Sequence, residues 1–393
     1  MNVPSLRADT PGCAHRVHLN NAGAALMPTP VLDAVHEHLD LEARIGGYEA
    51  EAERQEAIAE AYAAVGALLG APAHNIAFTE HATASFVAAL SAIPFRPGDV
   101  IATTRHDYTS NQIQYLSLAR RFGVEIVRVP DAPGGGVDLA AMEEVIHRRR
   151  PKLVAVTHVP TNSGLVQDVA GIGRLCRARD VPYLVDGCQS VGQMPTDVEE
   201  IGCDFFSATA RKYLRGPRGG GFLYVSDRAL DRGMEPLFPD LRGADLVSED
   251  LYQPAPDARR FETWEFSWAL VLGTGAAARY AREVGLEPIR DRVRQLAGRL
   301  RSSLASMVGV DVLDRGSELG AIVTAHVSGQ DPAALVRSLR TRGINTSSQT
   351  RLDAPMDFEA KAVDGALRIS PHYYNHDEDL EAFTEALADI VES

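Results

Sequence analysis

Lysine is nearly absent: Lys152, Lys212 and Lys361 are the only lysines among 39 basic residues, so arginine supplies almost all the positive charge. Cysteine is scarce too. Cys13, Cys176, Cys188 and Cys203 form no CxxC pair and no Cys/His ligand spacing, which argues against a zinc site or a disulfide scaffold. No HExxH pattern is present, and GPRGGGF at 216–222 lacks the spacing of a dinucleotide fingerprint or a P-loop; it reads as a turn into a strand. There is no signal-peptide pattern and no apolar run long enough to span a bilayer, so a reduced cytoplasmic setting without membrane contact is expected. Positive charge is not in excess either. Against 53 acidic residues the net charge is −14, which makes nucleic acid a poor partner.

What is present is a chain of 393 residues, 45 % hydrophobic, with enough apolar sequence for a large core and too much length for one compact domain. Residues 1–16 read as a loose N-terminal arm. From Thr29 to Leu69 apolar residues recur at helical spacing, interrupted by GGY at 46–48. Thereafter strand-like runs at 99–104, 124–130, 151–159, 181–187, 203–209 and 220–226 alternate with amphipathic stretches at 111–122, 138–149 and 168–179. That alternation predicts an α/β fold with a mainly parallel sheet covered on both faces. Residues 228–262 read as loop, and 270–308 as one long bridging helix. A smaller C-terminal α/β domain follows, giving a large domain over 17–269 and a bridge with small domain over 270–393.

Ligands of open α/β sheets collect at the carboxyl ends of the strands. PYLVDGCQ carries Asp186 and Gln189 there, CDFFSATARK carries Thr209, Arg211 and Lys212, and VTHVPTNSG carries His158, Thr161 and Asn162. A lysine kept among arginines suggests work that arginine cannot do, because lysine can lose its proton and form an imine. Asp186 then suits the anion that a pyridoxal 5′-phosphate (PLP) ring needs against its nitrogen; a helix cap or structural ion pair is the alternative. TEHATASFVAAL at 79–90 opens a helix whose first turn, with Ala82 and the Thr83 hydroxyl, offers an anion cradle, ordinary capping being the other reading. Arg368, in LRISPHYYN, is placed to pair with a substrate carboxylate.

The segment VDGCQSVGQMPTDVEEIGCDFFSATARKYLRGPRGGGFLYV closely resembles the cofactor segment of class V aminotransferase-fold PLP enzymes, and the likeness runs from HLNNAG at 18–23 to the end of the chain. That group includes cysteine desulfurases, selenocysteine lyases, isopenicillin N epimerase and C–S lyases. The resemblance implies PLP fold type I, with a seven-stranded-type sheet, and a homodimer with active sites near the subunit interface. It implies Lys212 as the Schiff-base lysine, Asp186 as the pyridinium partner and Gln189 as partner of the ring hydroxyl. Thr83 and Thr209 fall on phosphate-binding positions, Arg211 takes a slot where desulfurases commonly carry a phosphate-contacting His, and Arg368 matches the anchor of the α-carboxylate.

Departures from the family pattern shape the expected reaction. The loop GINTSSQTRLDAPMDFEA (343–360) lacks the cysteine that desulfurases carry there, which argues against a desulfurase. In HDYTSNQ (106–112) Asn111 matches a family Asn and, with Thr161, is expected to contact substrate, but Thr109 stands where a ring-stacking His is usual, leaving Tyr108, His106 or neither to stack. Thr161 replaces a common Asn, and Glu265 a Thr that reaches the partner subunit. Short echoes in GGYEA, RGPRG and RISPH point to C–S lyases. The expected reaction is β-elimination from an amino acid or S-substituted cysteine, giving pyruvate and ammonia. Transamination, epimerisation and decarboxylation-dependent oxidative deamination are the alternatives, and a non-catalytic protein with this scaffold the remaining one.

Overall fold

Apolar side chains in the central strands alternate strictly between two cores, and that period of two sets the architecture. The structure, a computed structural model, describes residues 1–392. After a short first strand, β1 (Val17–His18), come β2 (Ile76–Thr79), β3 (Val100–Thr104), β4 (Glu125–Val129), β5 (Leu153–Thr157), β6 (Tyr183–Asp186), β7 (Phe205–Thr209) and β8 (Gly221–Val225). The last seven form one sheet in the order β2-β8-β7-β6-β5-β3-β4. All run parallel except β8, which is antiparallel to both its neighbours. Val154, Val156, Val185 and Phe206 face one core, under the helices Gln55–Leu69, Leu139–Arg149, Val169–Ala178 and Trp268–Val284. Leu153, Ala155, Leu184 and Phe205 face the other, under Ala82–Ser91 and Thr109–Phe122. A sheet buried on both faces requires such continuous apolar runs.

A second assembly holds β11 (Val310–Val312), β12 (Val323–Val327), β15 (Gly365–Ile369) and β14 (Ser347–Thr350) in an antiparallel sheet, in that order. It comes after a hairpin of β9 (Ala244–Ser248) and β10 (Leu251–Pro254). The helices Leu286–Ala305, Pro332–Thr341 and Asp377–Glu392 pack on the second sheet around a core of their own. β1 reaches it from the far end of the chain, pairing in parallel with β13 (Ile344–Asn345). We propose that these two cores correspond to a large and a small domain.

Three local expectations change. Residues 228–262 are not all loop, since they contain the β9–β10 hairpin; its side chains are mostly exposed on both faces, so no buried alternation marks it. The long helix expected over 270–308 is two helices, broken at Gly285, whose φ of +91° and ψ of 123° lie where only glycine is unstrained. The N-terminal arm is not loose. It forms a short helix, Val3–Ala8, and Arg7 is ion-paired to Asp379 at 2.7 Å. Among the described residues, no helix is long and apolar enough to cross a membrane.

Candidate active site

The carboxyl ends of β5, β6 and β7 and the start of the helix Ala82–Ser91 converge on one polar pocket. Lys212 lies in its lining, three residues past β7, and is only 8 % exposed. Burial pulls its ammonium below the ordinary lysine value, while the neighbouring Cys188 and Asp186 act in the opposite direction. Asp186 ends β6; its Oδ1 accepts from the Cys188 N–H at 3.0 Å and its Oδ2 from Asn111 Nδ2 at 3.1 Å. Gln189 donates to Ala22 O at 3.1 Å and Thr161 Oγ1 at 3.3 Å, leaving its own Oε1 buried without a partner. The Tyr108 ring centroid lies 5.9 Å from Lys212 Nζ.

Two arginines border the lysine without any carboxylate partner among the described residues. Arg211 lines the pocket, donates to Gly23 O, and is lowered from the usual arginine range by burial. Arg368, on β15, donates to Thr161 Oγ1 at 2.8 Å, Thr161 O at 3.2 Å and Asn20 Oδ1 at 3.3 Å. Its Nε is buried and unpartnered, and burial takes its pKa down to about 10. A buried guanidinium with only neutral acceptors is poorly compensated, which suits capture of an anion. Ala82, Thr83 and Thr209 also line the pocket; Thr209 Oγ1 donates to Gly220 O at 3.3 Å. His81 caps the helix, its Nδ1 accepting from the Ala84 N–H at 3.0 Å.

The turn that delivers Lys212 is fixed by Arg215, a fully buried residue with φ +62°. Its guanidinium donates to Leu26 O at 2.8 Å, Tyr373 Oη at 2.7 Å and Thr10 Oγ1 at 2.6 Å, and lies 4.6 Å from the Tyr374 ring centroid. Both ends of the chain thus bear on the lysine turn.

The family model for class-V aminotransferases matches residues 17–383. The chain belongs to the class-V aminotransferase family. A probable cysteine desulfurase of Methanothermobacter thermautotrophicus is 29% identical over the whole of this chain and 98% of its own. A probable hercynylcysteine sulfoxide lyase of Mycobacterium tuberculosis is 33% identical, over 94% of this chain and 89% of its own. The apo structure of a cysteine desulfurase from Thermococcus onnurineus NA1 superimposes with a TM-score of 0.91 at 26% identity, covering 100% of this chain and 99% of that one. The class-V fold is therefore PLP fold type I, and the cofactor is PLP. The residues fit that group. The unpartnered Gln189 Oε1 is an acceptor waiting for a hydroxyl, Asp186 supplies a buried carboxylate, and Arg211 supplies unneutralised positive charge. A Cβ on Gly221 would come within 2.5 Å of the His81 carbonyl carbon, so only glycine lets β8 run this close to the helix start.

The reading of the reaction from the sequence needs correction. The cysteine-free loop 343–360 argues against a desulfurase, and the short echoes GGYEA, RGPRG and RISPH argue for β-elimination from an S-substituted cysteine. Yet several relatives that match this class-V chain over at least 98% of its length are described as probable cysteine desulfurases. The physical reason is that the loop decides only where sulfur is stored. Which bond at the substrate breaks depends on its orientation at the cofactor, which the loop's composition does not fix.

The structure brings Lys212, Asp186, Gln189, Thr83, Ala82, Thr209, Arg211, Tyr108 and Thr161 into one pocket. Asn111, expected to touch substrate, is not among its lining residues; it is buried behind Asp186, with its amide committed to two carboxylates. Of the stacking candidates, His106 pairs with Asp131 at 3.4 Å and Asp357 at 3.7 Å, and the Thr109 hydroxyl donates to Asp353 O, so only Tyr108 lines the pocket. Glu265 lies along a separate cleft with Tyr48 and Arg242. His158 borders another cleft with Gln167 and Arg294. The sequence reading passed over Asp107 and Arg215. An acid three residues past the apolar strand IATT, with Asn and Gln four and five residues further on, was the available signal for the first.

Proposed function

We propose that this chain is a PLP-dependent enzyme of cysteine desulfurase type, acting on the Cβ–S bond of cysteine. The observation that carries the reading is a buried lysine, Lys212, in the lining of one polar pocket, with a buried arginine, Arg368, directly behind Thr161 of that lining and without a carboxylate partner among the described residues. Names of relatives support sulfur chemistry, and the absence of a loop cysteine means the sulfur goes to a thiol from outside that loop.

The site residues divide the work by chemistry. Lys212 would be the attachment point, Asp186 would be the anion for the ring nitrogen, Gln189 Oε1 would accept from the ring hydroxyl, and Tyr108 would be the aromatic partner of the ring. Ala82, Thr83, Thr209 and Arg211 would hold the phosphate. When bound, PLP supplies an electron sink at the substrate Cα. Arg368 grips the α-carboxylate, with Thr161 fixing the guanidinium plane through two hydrogen bonds. Lys212 Nζ, made less basic by burial, takes the Cα proton and returns a proton to carbon. The Cβ–S bond breaks as an acceptor thiol bonds to that sulfur, so cysteine and thiol become alanine and a persulfide. Atoms balance without an added oxidant.

The active form we propose is a pair of identical chains. Phe238, Leu241, Leu246 and Val247 are each more than half exposed in and around the β9–β10 hairpin, an apolar face that a second copy would cover.

Cysteine and dithiothreitol incubated with the purified, PLP-loaded protein test the reaction. Equal amounts of alanine and sulfide are expected. Pyruvate and ammonia in place of alanine overturn the desulfurase reading, and so does the absence of turnover. Borohydride reduction followed by peptide mapping is expected to label Lys212 alone; a label elsewhere removes its role.

A further inference from the structure

Asp107 receives more hydrogen bonds than any turn requires. It lies three residues past β3, at the edge of the site, and is 5 % exposed. Its Oδ1 accepts from Thr157 Oγ1 at 2.6 Å, the Tyr108 N–H at 2.7 Å and Asn111 Nδ2 at 3.1 Å. Its Oδ2 accepts from Gln112 Nε2 at 2.7 Å and Thr103 Oγ1 at 3.3 Å. A local cap would need only the Tyr108 N–H. The other four donors are side chains from β3, β5 and the helix Thr109–Phe122, gathered around one carboxyl group. Burial and the nearby Asp186 push this carboxyl above the usual aspartate range, while Thr157, Asn111 and Gln112 pull it down. Five converging donors favour the acceptor-only, ionised form.

One of those donors continues to the cofactor site. Asn111 Nδ2 lies 3.1 Å from Asp107 Oδ1 and 3.1 Å from Asp186 Oδ2. A single amide nitrogen carries two hydrogens, and each here meets one carboxylate. The reverse amide orientation would set its oxygen against two acids, so the arrangement admits one solution. We propose that Asp107 is a positioning residue for the reaction: through Asn111 it fixes Asp186 and places a second negative charge behind it, so that the ring nitrogen keeps its proton.

The surrounding charges are consistent with that role. Arg128 Nε donates to Gln112 Oε1 at 2.8 Å, so the nearest cation on this side reaches Asp107 only through an amide. The Tyr115 hydroxyl is raised well above its ordinary value by burial and then by Asp107 and Asp186. Lys212 stands on the pocket side of Asp186. Like charges held together strengthen each other's hold on a proton, and the pair can share one with the ring nitrogen.

This rests on the reading that Asp186 faces the ring. The test is the 15N resonance of ring-labelled PLP in the holoenzyme, followed against pH. In the parent protein the ring nitrogen stays protonated over the accessible range. In Asp107→Asn its titration midpoint is expected to fall by about one pH unit, roughly tenfold in proton affinity, with kcat down about tenfold and KM changed less than about twofold. Asn111→Ala keeps the Asp107 carboxylate and cuts only the bridge; a smaller shift in the same direction is expected, and this variant decides the matter where Asp107→Asn does not fold. Parent-like titration in the folded variants overturns the proposal. Asp186→Asn separates the two ideas: if it abolishes ring protonation while the other variants do nothing, only the role of Asp107 falls. If Asp186→Asn also titrates like the parent, the underlying reading of the site falls with it.

Discussion

At the scale of single residues, burial without a partner is the recurring theme, and His158 shows its cost. Burial lowers its pKa to about 4, and its Nδ1 has no hydrogen-bond partner. The folded protein leaves this imidazole neutral down to about pH 4, whereas the unfolded chain binds a proton below about pH 6.5. The unfolded state therefore binds more protons between those values, so this residue's contribution to stability is intact above pH 6.5 and is lost as pH falls. The loss amounts to roughly 3 kcal/mol by pH 4. Denaturant unfolding of His158→Gln against pH is expected to give a flatter acid limb than the parent; identical limbs would remove the residue from the account. Within the site, Lys212 was legible because it is a rare lysine set between arginines at a strand end. Asp107 was not, because its meaning depends on Thr157 and, through Asn111, on Asp186, which lie 50 and 79 positions away.

At the scale of elements, direction and breaks were the harder features to read. The parallel alternation of strands and helices is written in the continuous apolar runs of β5, β6 and β7 and the amphipathic stretches between them. The reversal of β8 has no such mark, because a strand buried on both faces has the same composition whichever way it runs. The division at Gly285 was hidden by good helical periodicity on both sides; a single backbone angle separates Trp268–Val284, packed in the large core, from Leu286–Ala305, packed in the small one. Gly285→Ala forces a side chain into that geometry and is expected to lower stability by about 1–3 kcal/mol. Thermal or denaturant unfolding measures it. An unchanged midpoint would mean that the helices merge or the joint relaxes without cost.

At the scale of the whole molecule, the exposed apolar face is the feature most in need of a partner. Phe238 is 84 % exposed and Leu246 75 %, far from the usual fate of such side chains. Phe238→Glu combined with Leu246→Glu is expected to shift sedimentation from a dimer to a monomer at micromolar concentration. A parent protein that sediments as a monomer would sink the paired form outright. The hairpin that holds Leu246 reads as loop in the sequence because strands exposed on both faces show no burial period.

The Arg215 clamp also joins groups made far apart in synthesis. Thr10 is made long before Tyr373, yet both grip the same guanidinium beside the lysine turn. A chain that stops short of Tyr373 lacks one of the three groups that hold the Arg215 guanidinium. The seat of the lysine turn is therefore closed by residues more than 350 positions apart, Thr10 and Tyr373, and depends on both.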